Sequence, residues 1–363
     1  MPNYFIIIDF IICLSNYPMR ELYVKSLPLQ EVIANLAEAF ETTYFISCHE
    51  YRINIPNAYG SGFIRGINFY NGFGLIEYSC TFKETIKIHF SVNKIHPLKF
   101  IYCSEGTIKH RFEEKDSLHL IDQFQNVVVA STAQNGHILL FPSGQKIHMN
   151  SLEIARKDFK AKIDCDLHYV DKNLRKLFRD LNARNLFYYH GNYSLAMSEC
   201  IEEIKNNTLH GFTRRLFLEG KANEILSLQI NDFEDDQRTE PKRQILRKAE
   251  MTQIQKAAQI LKSELANPLT IKDLATRVGT NPTKLQEGFR FTFGATVNNY
   301  LNKLRLEYAR DQLMIGDLNI SEISTNIGIN NKSYFSRLFK STYHLNPKDF
   351  SKQISRNVTL EKL

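Results

Sequence analysis

Ten side chains in the last third of this 363-residue chain are suited to recognition by hydrogen bonds and charge rather than to making bonds. Arg337 carries a planar fork that can pair bidentately with guanine, Gln286 an amide that can pair with adenine, and Glu287 an acceptor for the cytosine amino group. Lys284, Arg290 and Lys340 are better suited to phosphate oxygens, because they lie at the edges of the face in question. Thr283, Lys332, Ser333 and Ser336 complete the set. Their spacing is what selects them. Leu285 and Phe289 are apolar and four apart, as are Phe335 and Phe339, so on helices they must face inward. Thr283, Gln286, Glu287 and Arg290 are then left outward on one helix, and Lys332, Ser333, Ser336 and Arg337 on the other. No comparable set for bond-making chemistry stands out. Histidines 89, 96, 110, 119, 137 and 148 fall in one region, but no His-x-His pair occurs, and His89, His110, His137 and His148 each read as a single strand position. The expectation is no catalytic residue, no metal and no cofactor.

The elements that must hold those ten residues are written twice. The first copy starts at Leu269 and the second at Leu318; with Gly279 laid on Gly328, Leu274 meets Ile323 and Val278 meets Ile327. After one inserted residue, Leu285 and Phe289 meet Phe335 and Phe339. Thr270 with Asp273, and Asn319 with Glu322, can cap the start of a first helix. Gly279 and Gly328 can end it in the left-handed conformation. Asn281 before Pro282, and Asn330 or Asn331 before Ser333, open a second helix. Each copy therefore reads as helix, tight turn, helix, an arrangement whose second helix can lie in the DNA major groove.

At these residues the chain resembles the AraC/XylS family of bacterial transcription regulators, which carry two helix-turn-helix units joined by a long helix. The resemblance rests on Arg305-Leu306, Ala309 and Leu313 on the joining helix, then Gly328-Ile329, Tyr334 to Arg337, Phe339-Lys340 and Asn346-Pro347. Ser324 stands where the family usually has alanine, and His344 where it usually has glycine. The resemblance implies double-stranded DNA as partner, with Thr283, Gln286 and Glu287 at base-reading positions. It also implies a small-molecule effector, a homodimer, RNA polymerase as a further partner, and activation in the cytoplasm. The stretch from Arg214 to Ile230 is similar to a siderophore-responsive branch of the family, which implies a siderophore-like effector.

Charge supports a polyanion partner for the same region. The whole chain carries a formal +7, and residues 242–356 hold 19 Lys/Arg against 9 Asp/Glu. The surplus sits where the doubled motif sits. At 43% hydrophobic and 23% charged, the chain has the composition of ordinary globular material, and its length suggests two or three domains. Six scattered cysteines without C-x2-C spacing argue against a zinc site or a disulfide framework. No apolar run reaches the roughly 18 residues of a membrane span.

Upstream, residues 1–18 read as a buried strand, a failed signal, or a segment ahead of a start at Met19. Residues 27–46 look helical, with Val32, Leu36, Ala39 and Phe40 on one face. From Ile53 to Ile154 the period becomes two, with turn signals at Asn71-Gly72, Glu105-Gly106, Asn135-Gly136 and Pro142-Ser143-Gly144. Eight or so short strands indicate a β-sandwich or small barrel; the resemblance makes it a cupin-like effector domain. The expected fold is thus α+β and multidomain: a β-rich domain over 1–160, a helical dimerisation segment over 161–230, a linker over 231–247, and an all-α double helix-turn-helix domain over 248–356. The alternative weighed against a regulator is a metal-dependent cupin enzyme fused to a DNA-binding module.

Overall fold

The computed structural model describes residues 19–25, 27–91, 95–115, 117–163, 167–194, 196–237 and 248–352, and the expectations for residues 1–18 lie outside them. The chain divides into two compact units, Met1–Ile245 and Leu246–Leu363.

The first unit opens with β1 (Met19–Val24), α1 (Leu29–Ala39), β2 (Tyr44–Ser47), β3 (Glu50–Asn54), β4 (Gly60–Asn68), β5 (Phe73–Phe82) and β6 (Thr85–Phe90). It continues with β7 (Leu98–Glu105), β8 (Ile108–Phe112), β9 (His119–Ile121), β10 (Gln125–Ala130), β11 (His137–Phe141) and β12 (Lys146–Ile154). The strands form two sheets, ordered β1-β6-β11-β8-β9 and β13-β10-β7-β12-β5-β4-β3-β2, where β13 is Phe187–Tyr193. Ile86, Ile88, Leu139 and Phe141 of the smaller sheet share one core with Ile64, Tyr78, Ile101, Val127 and Met149 of the larger. The two sheets therefore pack face to face. All eight strands read from alternation are present, and Asn71-Gly72 joins β4 to β5 with both residues at positive φ, as a two-residue hairpin requires.

The helix expected over 27–46 is shorter. It stops at Ala39, because Glu41 enters the left-handed region at φ 50 and the Thr42 N–H closes back on the Ala37 carbonyl at 2.9 Å. The β-branched and aromatic residues that follow then pair as β2 against β3.

The other face of the larger sheet is covered by α2 (Arg156–Ile163), α3 (Lys172–Arg179), α4 (Ala196–Lys205) and α5 (Gly211–Asp236). Phe159, Leu177, Phe178, Ile201, Leu218, Ile225 and Phe233 from these helices meet Ile67, Phe73, Phe100, Val128 and Leu152 in a second core. A sheet covered on both faces explains why β5 and β12 are buried along nearly their whole length although their sequences alternate polar and apolar residues. Charged residues on that face pin α5 down. Arg214 of α5 meets Glu50 at 3.0 Å, Glu50 meets Arg65 at 3.1 Å, and Arg65 pairs with the buried Glu77, which His148 contacts at 3.0 Å. The expected linker also begins later than its polar composition suggests: α5 continues through residues 231–236, with Phe233 buried beneath it. The remainder, 238–247, lies outside the described residues.

The second unit is all helical: α6 (Lys248–Ser263), α7 (Ile271–Val278), α8 (Pro282–Phe293), α9 (Val297–Ile315), α10 (Ile320–Asn326) and α11 (Lys332–Tyr343). Ile254, Ala258 and Leu261 of α6 are buried.

Candidate nucleic-acid interface

Each repeat is built by the same local rules. Asp273 N–H donates to the Thr270 hydroxyl at 3.2 Å, and that hydroxyl donates to the Asp273 carboxylate at 2.6 Å. In the second repeat Asn319 accepts from the Glu322 N–H at 3.0 Å while the Glu322 carboxylate accepts from the Asn319 N–H at 2.8 Å, a reciprocal box. Gly279 (φ 77) and Gly328 (φ 68) make the two turns. Their duties differ. A Cβ on Gly279 would reach only the Gln253 side chain at 3.6 Å, whereas one on Gly328 would lie 1.9 Å from the Ala266 carbonyl oxygen. Asn281 then caps α8 through the Lys284 N–H at 2.8 Å, and Asn331 rather than Asn330 caps α11 through the Tyr334 N–H at 2.9 Å.

The correspondence runs further than the sequence pattern shows. At a constant offset of 50, Phe293 matches Tyr343, Gly294 matches His344, Thr296 matches Asn346 and Tyr300 matches Phe350. Phe289, Phe293 and Tyr300 stack in one core, and Phe339, Tyr343 and Phe350 in the other. Both departures from the family pattern find a structural place. Ser324 is buried and donates its hydroxyl to the Ile329 carbonyl across the turn, where the Ile329 N–H already returns to Ser324 O at 2.9 Å. His344 occupies the left-handed position (φ 62) that Gly294 (φ 64) takes in the first repeat. Gly288, unfavourable in mid-helix, marks a close approach: a Cβ there would meet Ile254 Cδ1 of α6 at 2.2 Å.

Leu285, Phe289, Phe335 and Phe339 are all fully buried, which fixes the rotation of α8 and α11. Thr283, Glu287 and Arg290 form an exposed stripe on α8 at i, i+4, i+7; Ser333, Arg337 and Lys340 form the matching stripe on α11. Lys332 is exposed and Ser336 half-buried. Two of the expected contacts have other partners. Lys284 reaches back to Glu250 at 2.9 Å. Gln286 is half-buried, and its carbonyl oxygen accepts the Val297 N–H at 3.2 Å, satisfying the first orphan donor of α9. In the second repeat that position is Pro347, which has no N–H, so Ser336 has no such duty. Arg305 of α9, singled out by the family pattern, is half-buried and donates to the Leu265 carbonyl at 3.0 Å; burial lowers its pKa. Its role is to tie α9 to the end of α6.

Residues 60–245, just over half of the chain, match the family described as Regulatory protein PchR N-terminal domain, and residues 274–353 match the Helix-turn-helix domain family. The chain belongs to the PchR-type regulators of the AraC family. It is 35% identical over 127 residues to the regulatory protein PchR from Pseudomonas aeruginosa, a stretch covering 34% of this chain and 42% of PchR. To the regulatory protein PocR from Salmonella typhimurium it is 29% identical over 106 residues, covering 29% of this chain and 35% of PocR. The matched stretch is thus under half the length of either relative. The solved structure of ToxT from Vibrio cholerae aligns over 78% of this chain and 98% of its own at 17% identity, with a TM-score of 0.29, too low to establish a shared arrangement.

Within this PchR-type chain His96, His137, His110 and His119 of the first unit form one row of ring contacts, His96 to His137 at 6.2 Å and His110 to His119 at 6.0 Å between centroids. His110 and His137 stack at 5.7 Å between ring centroids, His119 stacks on Tyr188 at 4.0 Å, and His148 bonds Glu77 and Ser104. Burial holds His110 down to about 3 and His137 well below the usual imidazole range, so both are neutral at pH 7. Among the described residues no group of three or more His, Cys, Asp or Glu is arranged to hold a metal ion, and no helix is long and apolar enough to cross a membrane. The family and the relatives reported above are regulators, so the metal-dependent enzyme is set aside.

Proposed function

We propose that this chain is an effector-responsive transcriptional activator of the cytoplasm that reads two adjacent major-groove segments of double-stranded DNA, one with α8 and one with α11. The observation that carries the reading is the pair of equally spaced exposed stripes, Thr283, Glu287, Arg290 and Ser333, Arg337, Lys340, on two helices each N-capped by an asparagine side chain. Glu287 and Arg337 occupy equivalent positions and read cytosine and guanine respectively; Arg290 and Lys340, also equivalent, hold phosphates. Thr283, Ser333, Lys332 and Ser336 add contacts around them, while Lys284 and Gln286 serve the DNA only by giving up Glu250 and the Val297 N–H.

The first unit serves as a cupin-like effector domain whose ligand is a small molecule of siderophore-like class. Homodimerisation runs through α5, where Phe212 (71% exposed) and Leu216 (53%) leave an apolar patch one turn long. RNA polymerase is the partner through which activation is exerted. Selection of bound duplexes from a random pool by the full-length protein, with and without candidate effectors, tests the reading. A site of two conserved segments about one helical turn apart is expected, with affinity falling as salt rises. Failure to enrich any sequence, or affinity indifferent to salt, refutes it.

A further inference from the structure

Helix α3 and the start of β13 border a cavity of about 650 Å³ lined by Lys172, Arg175, Lys176 and Arg179, with Leu186 and Phe187 on its apolar side. The volume lies within the roughly 300–1,000 Å³ of small-molecule sites. The four cations stand at i, i+3, i+4 and i+7, so one face of a two-turn helix carries only positive charge, an arrangement that is unfavourable without a counter-ion. None of the four has a carboxylate partner within ion-pair distance among the described residues. Asp180 also lines the cavity, but its oxygens are engaged by the Arg184 N–H at 2.9 Å, the Asn185 N–H at 2.8 Å and the Asn185 side chain at 2.9 Å, so it closes the turn instead.

We infer that this cavity binds an organic anion with a flat apolar body, its carboxylate or phosphate held by Arg175 and Arg179 and its body resting on Leu186 and Phe187, and that this anion is the effector. A concave site with an apolar wall fits a small molecule better than a convex duplex backbone. The walls also lead to the right place. Asp171 caps α3, and its own N–H donates to Glu234 of α5 at 3.0 Å. Phe187 lies 6.4 Å from Phe233 of α5, ring to ring. Both contacts fall in the last turns of α5, the final described helix before the chain enters the second unit. An anion that draws α3 and β13 together thus acts on the end of α5.

The inference rests on the reading of the first unit as an effector domain, and the experiment separates the two. Full-length protein is titrated calorimetrically with 1-naphthoate, 1-naphthyl phosphate and the neutral 1-naphthamide. At least one anion binds, and the amide binds about tenfold more weakly or not at all. The double variant Arg175→Ala/Arg179→Ala weakens the anion by about tenfold or more, Lys172→Ala/Lys176→Ala does so by less, and neither alters binding of the amide. Because all four side chains reach solvent, two independent double variants guard against a folding defect in either. Equal binding of all three probes, no binding of either anion, or anion binding unchanged in both variants overturns the site. A selected duplex bound with affinity that shifts with naphthoate in the unaltered protein, and not in Arg175→Ala/Arg179→Ala, supports the effector role; anion binding that leaves DNA affinity unmoved refutes that role. If the variants weaken DNA binding without any probe and lower its salt dependence, the face is a DNA phosphate contact and the inference falls.

Discussion

Gln286→Ala and Arg337→Ala look alike in the sequence and should behave oppositely. The Gln286 carbonyl oxygen accepts the Val297 N–H at 3.2 Å in a half-buried setting, and that N–H has no intrahelical acceptor. Removing the side chain therefore costs about 0.5–1.5 kcal/mol of folding free energy. For a unit of this size each kcal/mol is worth about 4–8 °C, so Tm of the second unit should fall by about 2–12 °C. Arg337 is exposed, with no side-chain partner among the described residues. Its loss should leave folding stability within about 0.5 kcal/mol of unchanged, a Tm shift of at most about 4 °C. It should cost about 1–3 kcal/mol, roughly 5- to 150-fold, only on duplexes that carry the matched base pair. Lys340→Ala sets the third pattern, weakening all sequences alike and lowering the salt slope by about 1. Thermal unfolding of each variant, with a binding profile over every single-base variant of a selected site, separates the three. The reasoning is refuted if Gln286→Ala leaves Tm unchanged and relaxes one base pair, or if Arg337→Ala scales every sequence equally.

His344→Gly should stabilise the second unit by about 1 kcal/mol, since a Cβ in the left-handed region is unfavourable, and urea unfolding would show a higher midpoint. Gly279→Ala should cost about 1 kcal/mol from its positive φ alone, and Gly328→Ala about 1–3 kcal/mol more, because its Cβ meets the Ala266 carbonyl; equal losses on denaturation would refute the close approach. Burial holds His110 at about 3 in the folded chain, whereas an unfolded histidine takes its proton near 6.5. Between those values the unfolded state binds the extra proton, so stability falls as pH drops from 6.5 towards 3, by up to about 1.4 kcal/mol per pH unit. His110→Phe should flatten that fall, and an unchanged slope in pH-dependent unfolding would contradict it.

The second unit was legible because its signals are local. Caps, turn glycines and a four-residue apolar spacing act within a dozen residues, and each is found where the sequence points. What the sequence hid there was tertiary: the Gln286 amide serves a donor eleven residues on, and Gly288 makes sense only beside Ile254 of α6. The strands of the first unit were equally plain where both flanks carried turn residues. β2 was masked by continuity with the α1 pattern, and β13 sits among aromatic residues that give no alternation. The cations of α3 were present in the sequence at i, i+3, i+4 and i+7, yet they read as the solvated side of an amphipathic helix; only the cavity beside them sets them apart.

The close approach of Gly328 to Ala266 and the bond from Arg305 to Leu265 both join the second repeat, or the helix leading to it, to the end of α6. The two readers are therefore clamped like the jaws of a fixed-gauge caliper. α9 spans about 28 Å at 1.5 Å per residue, short of the roughly 34 Å between successive major grooves on one side of straight B-form DNA. A caliper that cannot open leaves the duplex to adapt. Sites with flexible pyrimidine–purine steps between the two contacted segments should then be favoured over stiff A-tracts, although no side chain touches the bases in between.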